Sequence, residues 1–236
     1  GLNLLLSQLE LPIKKIITSE IEHNSVFLST MTFAEKNGIE RIVLPREADG
    51  LLSLENDFTN SLVVVNAVSN IDGRRLENVA ALVKKIKKQN GFIILDCAQA
   101  LGSNYELLQK IPADAFVASA HKMYAPSLGV MVVRKDFAKY IKSSFVGGGM
   151  VSSVKQDSFN MLADDEIHTI FEPGLQAWGE IIAFKTAIDW LKKQKKKSQI
   201  DEFSKDIFEF LKTQKGVNIL NEKATPVISF YHDKLD

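Results

Sequence analysis

SLVVVNAVSNIDGRRLENVAALVKKIKKQNGFIILD, residues 61–96, decides the fold class. SLVVVNAVS is a short apolar run rich in β-branched residues, which reads as a buried strand. Leu76 to Gln89 carries helical periodicity, Asn90-Gly91 stops it, and GFIILD is a second apolar run. Strand, helix and strand in that order form the repeating unit of a parallel sheet, whose strands are apolar on both faces because helices cover both.

The same rhythm extends in both directions. Upstream, KKIITSE reads as a strand, Ser25 to Lys36 as a helix ended by Asn37-Gly38, and IERIVLP as a strand. Gly1 to Leu9 reads as an apolar helix already under way, since no capping residue precedes Leu2. Downstream, ADAFVASA and LGVMVVR are two strands joined by a linker too short for a crossover helix, so they are expected to be antiparallel. The expected architecture is α/β: a mixed, mostly parallel sheet flanked by helices. After Lys135 the sequence predicts a short helix, the glycine triplet at 147–149 and a polar loop reaching about Asp165. Helices are expected over Gly174 to Lys193 and Ile200 to Thr213. GVNIL and TPVISFY then look like the first strands of a smaller α+β domain, so the expected division is a large domain over 1–190 and the start of a small one over 191–236.

Composition narrows the function. The 236 residues are 45% hydrophobic and 25% charged, and 29 basic side chains balance 29 acidic ones. A zero formal charge gives no global field for nucleic acid or an anionic membrane, so neither is expected as a partner, and small-molecule chemistry is the better default. No apolar run reaches spanning length and no signal peptide is visible. A lone cysteine, Cys97, excludes an intrachain disulfide framework and a multi-cysteine metal site. That fits a reducing compartment, and a cytoplasmic location is expected. The run KKQKKK at 192–197 is expected to be a solvated helix end.

Ligands of open α/β sheets collect outside the carboxyl ends of the strands, and polar residues arrive there from several runs. GFIILD ends in Asp96, with Gln99 three residues on; VVVNAVS leads to Asn70; AFVASA delivers Ser119, His121 and Lys122. Taken singly each has a plainer role, Asp96 as a helix cap, Asn70 in a turn and Lys122 as a surface lysine. Together they suit a carbonyl cofactor held by lysine as a Schiff base, with an amine whose pKa a desolvated, cation-rich setting would lower. Pyridoxal phosphate is the cofactor expected. It works as an electron sink when its ring nitrogen is protonated, and Asp96 is suited to keep that proton in place. Gln99, Ser119 and His121 are suited to bind the ring hydroxyl and the phosphate. No metal is expected.

EHNS at 22–25, VSNIDG at 68–73, DCAQA at 96–100, SAHKMYAPSLGV at 119–130, GGG at 147–149 and FEPG at 171–174 occur in the order and spacing of the class V pyridoxal-phosphate enzymes. The chain resembles that superfamily over nearly its whole length, and within it the cysteine desulfurase and selenocysteine lyase group. The resemblance implies a fold-type I transferase large domain, a small amino acid as substrate, a sulfur-acceptor protein as partner and a homodimer. It further implies that His23 stacks on the cofactor ring and assists proton transfer, and that Asn70 binds near the ring oxygen and substrate carboxylate. Asp96 would pair with the ring nitrogen, Gln99 with the ring hydroxyl and Ser119 and His121 with the phosphate. Lys122 would be the covalent anchor and proton shuttle.

Three features depart from that pattern. The glycine-threonine turn that cradles phosphate in the family has no counterpart, and GLNLLLS resembles the rest of the helix that follows it, so weak or no cofactor retention is expected. The substrate-binding arginine and mobile cysteine of the desulfurases would lie past Asp236. Leu175 stands where many desulfurases have a phosphate-contacting threonine. Another class V reaction (aminotransferase, epimerase or kynureninase-like lyase) and a non-catalytic homologue are therefore the alternatives. Cys97 is expected to face away from Asp96 as a core thiol, and His168 and His232 to be surface or packing residues.

Overall fold

The computed structural model describes residues 1–236 except 48, 103–109, 163–170, 194–196 and 236. In chain order its elements are α1 (Leu2–Ser7), β1 (Lys15–Ser19), α2 (Asn24–Asn37), β2 (Glu40–Leu44), β3 (Ser61–Asn66), α3 (Val79–Lys88), β4 (Phe92–Asp96) and β5 (Ala115–Ser119). A 3-10 turn (Ala120–Met123) leads to β6 (Gly129–Val133) and α4 (Lys135–Ala138). Then follow β7 (Val151–Val154), β8 (Phe159–Met161), α5 (Trp178–Lys193), α6 (Lys197–Thr213), β9 (Val217–Ile219) and β10 (Phe230–His232).

The large sheet runs β2-β1-β3-β4-β5-β6. Its first five strands are parallel, and β6 returns antiparallel to β5, Ala115 opposite Val133 and Ser119 opposite Gly129. This is the mixed sheet the short β5–β6 linker predicts. β3 is buried along its length because both of its faces are covered. Val63 and Val65 join a core with Leu82, Val83 and Ile86 of α3, whereas Leu62 and Val64 join a second core with Leu5 of α1 and Val26 and Phe33 of α2. Each aliphatic side chain so enclosed contributes about 1.5–3 kcal/mol relative to exposure. The helix ends follow their sequence signals: Gly38 closes α2 at φ 61°, its amide reaching Ala34 O and Glu35 O, and Asn90 follows α3 at φ 55°.

Three expectations need correction. The polar loop over 150–165 contains the β7–β8 hairpin; its residues are exposed or half-buried, so no burial alternation marked it. The helix expected from Gly174 begins at Trp178, because Gly174 sits at φ 86°, outside helical space. In TPVISFY only Phe230 and Tyr231 are strand, the start of β10, which pairs with β9. The residues before it are held by side chains instead, Asn221 Nδ2 and Thr225 Oγ1 both donating to Asp72 O at 2.8 and 2.6 Å.

Candidate active site

Parallel strands end at one edge of the sheet, and that edge carries the polar groups. β1 ends at Ser19, after which Glu22 is buried and His23 opens α2. β3 and β4 end side by side at Asn66 and Asp96. β5 ends at Ser119 and passes directly into the 3-10 turn that carries His121 and Lys122. A cavity of about 400 Å³ lies over this edge, and its wall contains His23, Asn70, Asp96, Gln99, Ser119, His121 and Lys122. All seven residues proposed from the sequence thus come together.

Their orientations are set locally. His23 is the N-cap of α2, and its Nδ1 accepts the Ser25 amide at 3.1 Å, with Ser25 Oγ at 2.8 Å. An amide can only donate, so neutral His23 carries its proton on Nε2. Asp96 is 9% exposed; its Oδ1 accepts the Ala98 amide at 2.9 Å, and its other oxygen has no hydrogen bond among the described residues. Burial raises the Asp96 pKa above the ordinary aspartate value, while His23 and Lys122 pull it back down. Those opposing effects place His23 and Lys122 within electrostatic reach of the carboxyl. Ser119 Oγ lies 3.0 Å from His121 Nδ1. Lys122 is exposed, so the desolvation expected around its amine is not provided by the chain itself.

Alternation along β4 settles Cys97. Ile94 belongs to the core on the α1–α2 face and Leu95 to the core on the α3 face, so Asp96 and Cys97 part in the same way. Cys97 is 1% exposed, and burial pushes its thiol pKa up. His232 is half-buried in β10, its Nδ1 accepting the Lys234 amide at 3.1 Å; Leu175 is 90% exposed. His168 lies outside the described residues, as do positions 194–196 of the lysine run, whose Lys192 and Lys193 are exposed.

Beneath the cavity floor lies a buried polar network that sequence reasoning missed. Glu22 and Arg46 approach to 3.5 Å with side-chain exposures of 0% and 1%. Glu22 accepts the Asn66 amide at 2.8 Å and the Ser19 hydroxyl. Arg46 donates to Ser19 Oγ at 3.1 Å, Gly50 O at 2.9 Å and Asn66 O and Oδ1 at 2.9 and 2.7 Å. Asn66 also lines the cavity, so the network fixes part of its floor. The available signal was Asn66 itself, a polar residue closing an otherwise apolar strand.

This sheet, with its carboxyl-edge cluster of acid, amide, hydroxyl, imidazole and amine, is the large domain of a fold-type I pyridoxal-phosphate protein. A profile of the family described as Aminotransferase class-V matches residues 1–236, and the chain belongs to that family. It is 28% identical over 234 residues to a probable cysteine desulfurase of Haemophilus influenzae, covering 94% of this chain and 52% of that protein. A cysteine desulfurase of Salmonella choleraesuis is 30% identical over 183 residues, covering 75% and 44%. Among solved structures, a cysteine desulfurase from Thermococcus onnurineus superimposes with a TM-score of 0.87 at 26% identity, covering 99% of this chain and 61% of that one. One from Escherichia coli gives 0.86 at 19% identity, covering 100% and 61%. The chain therefore spans about half the length of the curated relatives it matches.

The residues present fit the cofactor of this class. Asn70 Oδ1 is buried without a hydrogen-bond partner among the described residues and borders the cavity, so it calls for a donor from a guest. The unpaired oxygen of Asp96 is suited to a cationic N–H. Ser119 and His121 supply hydroxyl and imidazole donors at a third point of the wall.

Proposed function

We propose that this chain is the cofactor-binding part of a pyridoxal-phosphate enzyme of cysteine desulfurase type, which removes sulfur from cysteine, or selenium from selenocysteine, and leaves alanine. The reading is carried by one observation: seven side chains from four separate segments, together suited to the cofactor's ring, carbonyl and phosphate, line a single cavity. The curated relatives support the reaction type.

When bound, pyridoxal phosphate supplies the electron sink for bond cleavage at the substrate's α-carbon. Lys122 holds it covalently through Nζ and moves protons at that carbon. Asp96 keeps the ring nitrogen protonated; nearby His23 and Lys122 favour its ionised form against the burial that opposes it. Ser119 and His121 hold the phosphate, Gln99 the ring hydroxyl. His23 exchanges protons through Nε2, because Nδ1 is committed to the Ser25 amide. Asn70 offers its unpartnered Oδ1 to a donor on the ring or substrate. The reading also includes a homodimer, a sulfur-acceptor protein, a cytoplasmic setting, and a small domain beginning near residue 191.

The test is spectroscopic. Protein incubated with excess cofactor should absorb near about 420 nm. Borohydride should then fix the label on Lys122, as read by peptide mass spectrometry, and Lys122→Ala should abolish it. Cysteine should yield sulfide and alanine. A protein that takes up cofactor yet carries the borohydride label on a residue other than Lys122 sinks the reading; amino-group transfer without sulfide assigns another reaction of the class.

A further inference from the structure

Asn70 Oδ1 has no hydrogen-bond partner among the described residues, so its direction depends on the backbone turn that carries it. That turn is closed at its base: Val68 and Arg75 form an antiparallel bridge, Ser69 N donates to Arg74 O at 2.9 Å, and Gly73 N donates to Ser69 O at 3.0 Å. Inside it, Ser69 Oγ accepts the amides of Ile71 and Asp72 at 3.1 and 3.3 Å, and the Arg74 guanidinium closes on Asp72 at 2.5 Å. These bonds give the turn its shape. Its outer side is held from elsewhere.

Two carbonyls of the turn are taken by side chains 149 to 158 residues further along the chain: Asn221 Nδ2 and Thr225 Oγ1 reach Asp72 O, and the Ser229 hydroxyl donates to Ile71 O. Asp72, Asn221 and Thr225 are 5%, 9% and 8% exposed, so water does not readily replace a bond lost there. The two segments also fit closely, since a Cβ on Gly73 would lie 3.1 Å from Val227 N as well as against Thr225. No residue of 221–229 borders the main cavity; Pro226 and Val227 reach only a smaller chamber of about 160 Å³, which Arg75 and Lys122 also line. The influence of Asn221 and Thr225 on Asn70 therefore passes through the turn.

We propose that Thr225 and Asn221 are positioning residues for the cofactor site: by holding Asp72 O they keep the 69–73 turn in the place from which Asn70 meets the guest of the cavity. The identity of that guest rests on the proposed function. Removing one donor from a buried carbonyl loosens the turn, and cofactor then gains the Asn70 contact only in the fraction of molecules whose turn is in place.

The experiment compares the full chain as wild type, Thr225→Ala, Thr225→Ser, Asn70→Ala and the double variant Asn70→Ala with Thr225→Ala. Alanine and serine differ at position 225 by the hydroxyl alone. Hydrogen exchange without cofactor, read by mass spectrometry, should be about 2- to 10-fold faster over 69–73 in Thr225→Ala, unchanged over β3 and β4, and restored in Thr225→Ser. Titration with pyridoxal phosphate, followed by absorbance, should show binding weakened about 2- to 10-fold by Thr225→Ala in the wild-type background and unchanged by it in the Asn70→Ala background. A purely structural role would weaken binding in both. Equal weakening in the two backgrounds, or wild-type affinity in Thr225→Ala, overturns the positioning role and leaves the cofactor reading standing. Wild-type exchange over 69–73 in Thr225→Ala, faster exchange shared equally by β3 and β4, or no recovery in Thr225→Ser overturns it as well. The exchange measurements need no cofactor, so they hold or fail independently of the proposed function.

Discussion

Replacing Glu22 by glutamine tests which force governs the buried network under the cavity. The Glu22 carboxyl is sealed from solvent, and burial raises its pKa from the ordinary 4.5 to about 7, although Arg46, the Ser19 hydroxyl and the Asn66 amide all favour the charged form. Between those two pH values the folded protein holds a proton that the unfolded chain has released. Stability therefore falls as pH rises through this window, and above pH 7 the whole difference has been lost. At 1.36 kcal/mol per pH unit, the rise to about 7 makes ionised Glu22 about 3 kcal/mol less favourable than its protonated form. Glutamine keeps the shape and stays neutral. Urea denaturation of both proteins at pH 5, 6, 7 and 8, followed by circular dichroism, should show the variant gaining on wild type as pH rises. By pH 8 the Glu22→Gln variant should be the more stable by up to about 3 kcal/mol, less whatever it costs to set an amide N–H toward Arg46. Taking the difference between the two proteins cancels titrations common to both. A variant less stable than wild type at pH 8 would refute the reasoning, since the Arg46 attraction would then exceed the desolvation of Glu22.

Two further substitutions probe the packing around the site. Gly73 has φ 66°, and a Cβ there would lie 2.6 Å from Thr225 Oγ1, so Gly73→Ala should cost about 2–4 kcal/mol in chemical denaturation; adding Thr225→Gly should recover part of that loss. Cys97→Ala should lower stability by about 1 kcal/mol and leave sulfide release from cysteine unchanged, since the thiol lies in the core on the face opposite Asp96.

Much of the fold was legible because its signals are local. The continuous apolar runs of β3 and β4 reflect burial on both faces, and Gly38 and Asn90 mark helix ends through their backbone conformations. The antiparallel β6 followed from linker length alone. The β7–β8 hairpin escaped notice because neither strand buries a face, and the helix start at Trp178 because Gly174 breaks a pattern that otherwise looks continuous. For the site, strand parity and the shared carboxyl edge carried the inference: any polar residue just past an apolar run of a parallel sheet arrives at the same place. That rule located residues contributed by β3, β4 and β5, whereas His23, just beyond β1, came from the family resemblance of EHNS.

Partners brought together across the chain are invisible to such a rule. Arg46 follows β2 at the sheet margin, yet its guanidinium reaches Ser19 after β1's apolar run and Asn66 at the end of β3, two strands inward. Nothing in LPRE distinguishes an arginine that crosses the floor of a cavity from one that points into water. The same holds for Arg74 and Arg75, adjacent in sequence yet differently placed, one paired with Asp72 and the other facing a chamber with no acid among its described lining residues. The difference comes from the turn that Thr225 and Asn221 clamp through Asp72 O, about 150 residues further along the chain. Charge placement at this site is thus set by the docking of a distant segment, and disturbing that segment should alter how Arg75 presents itself before it alters the sheet edge that holds Asp96 and Lys122.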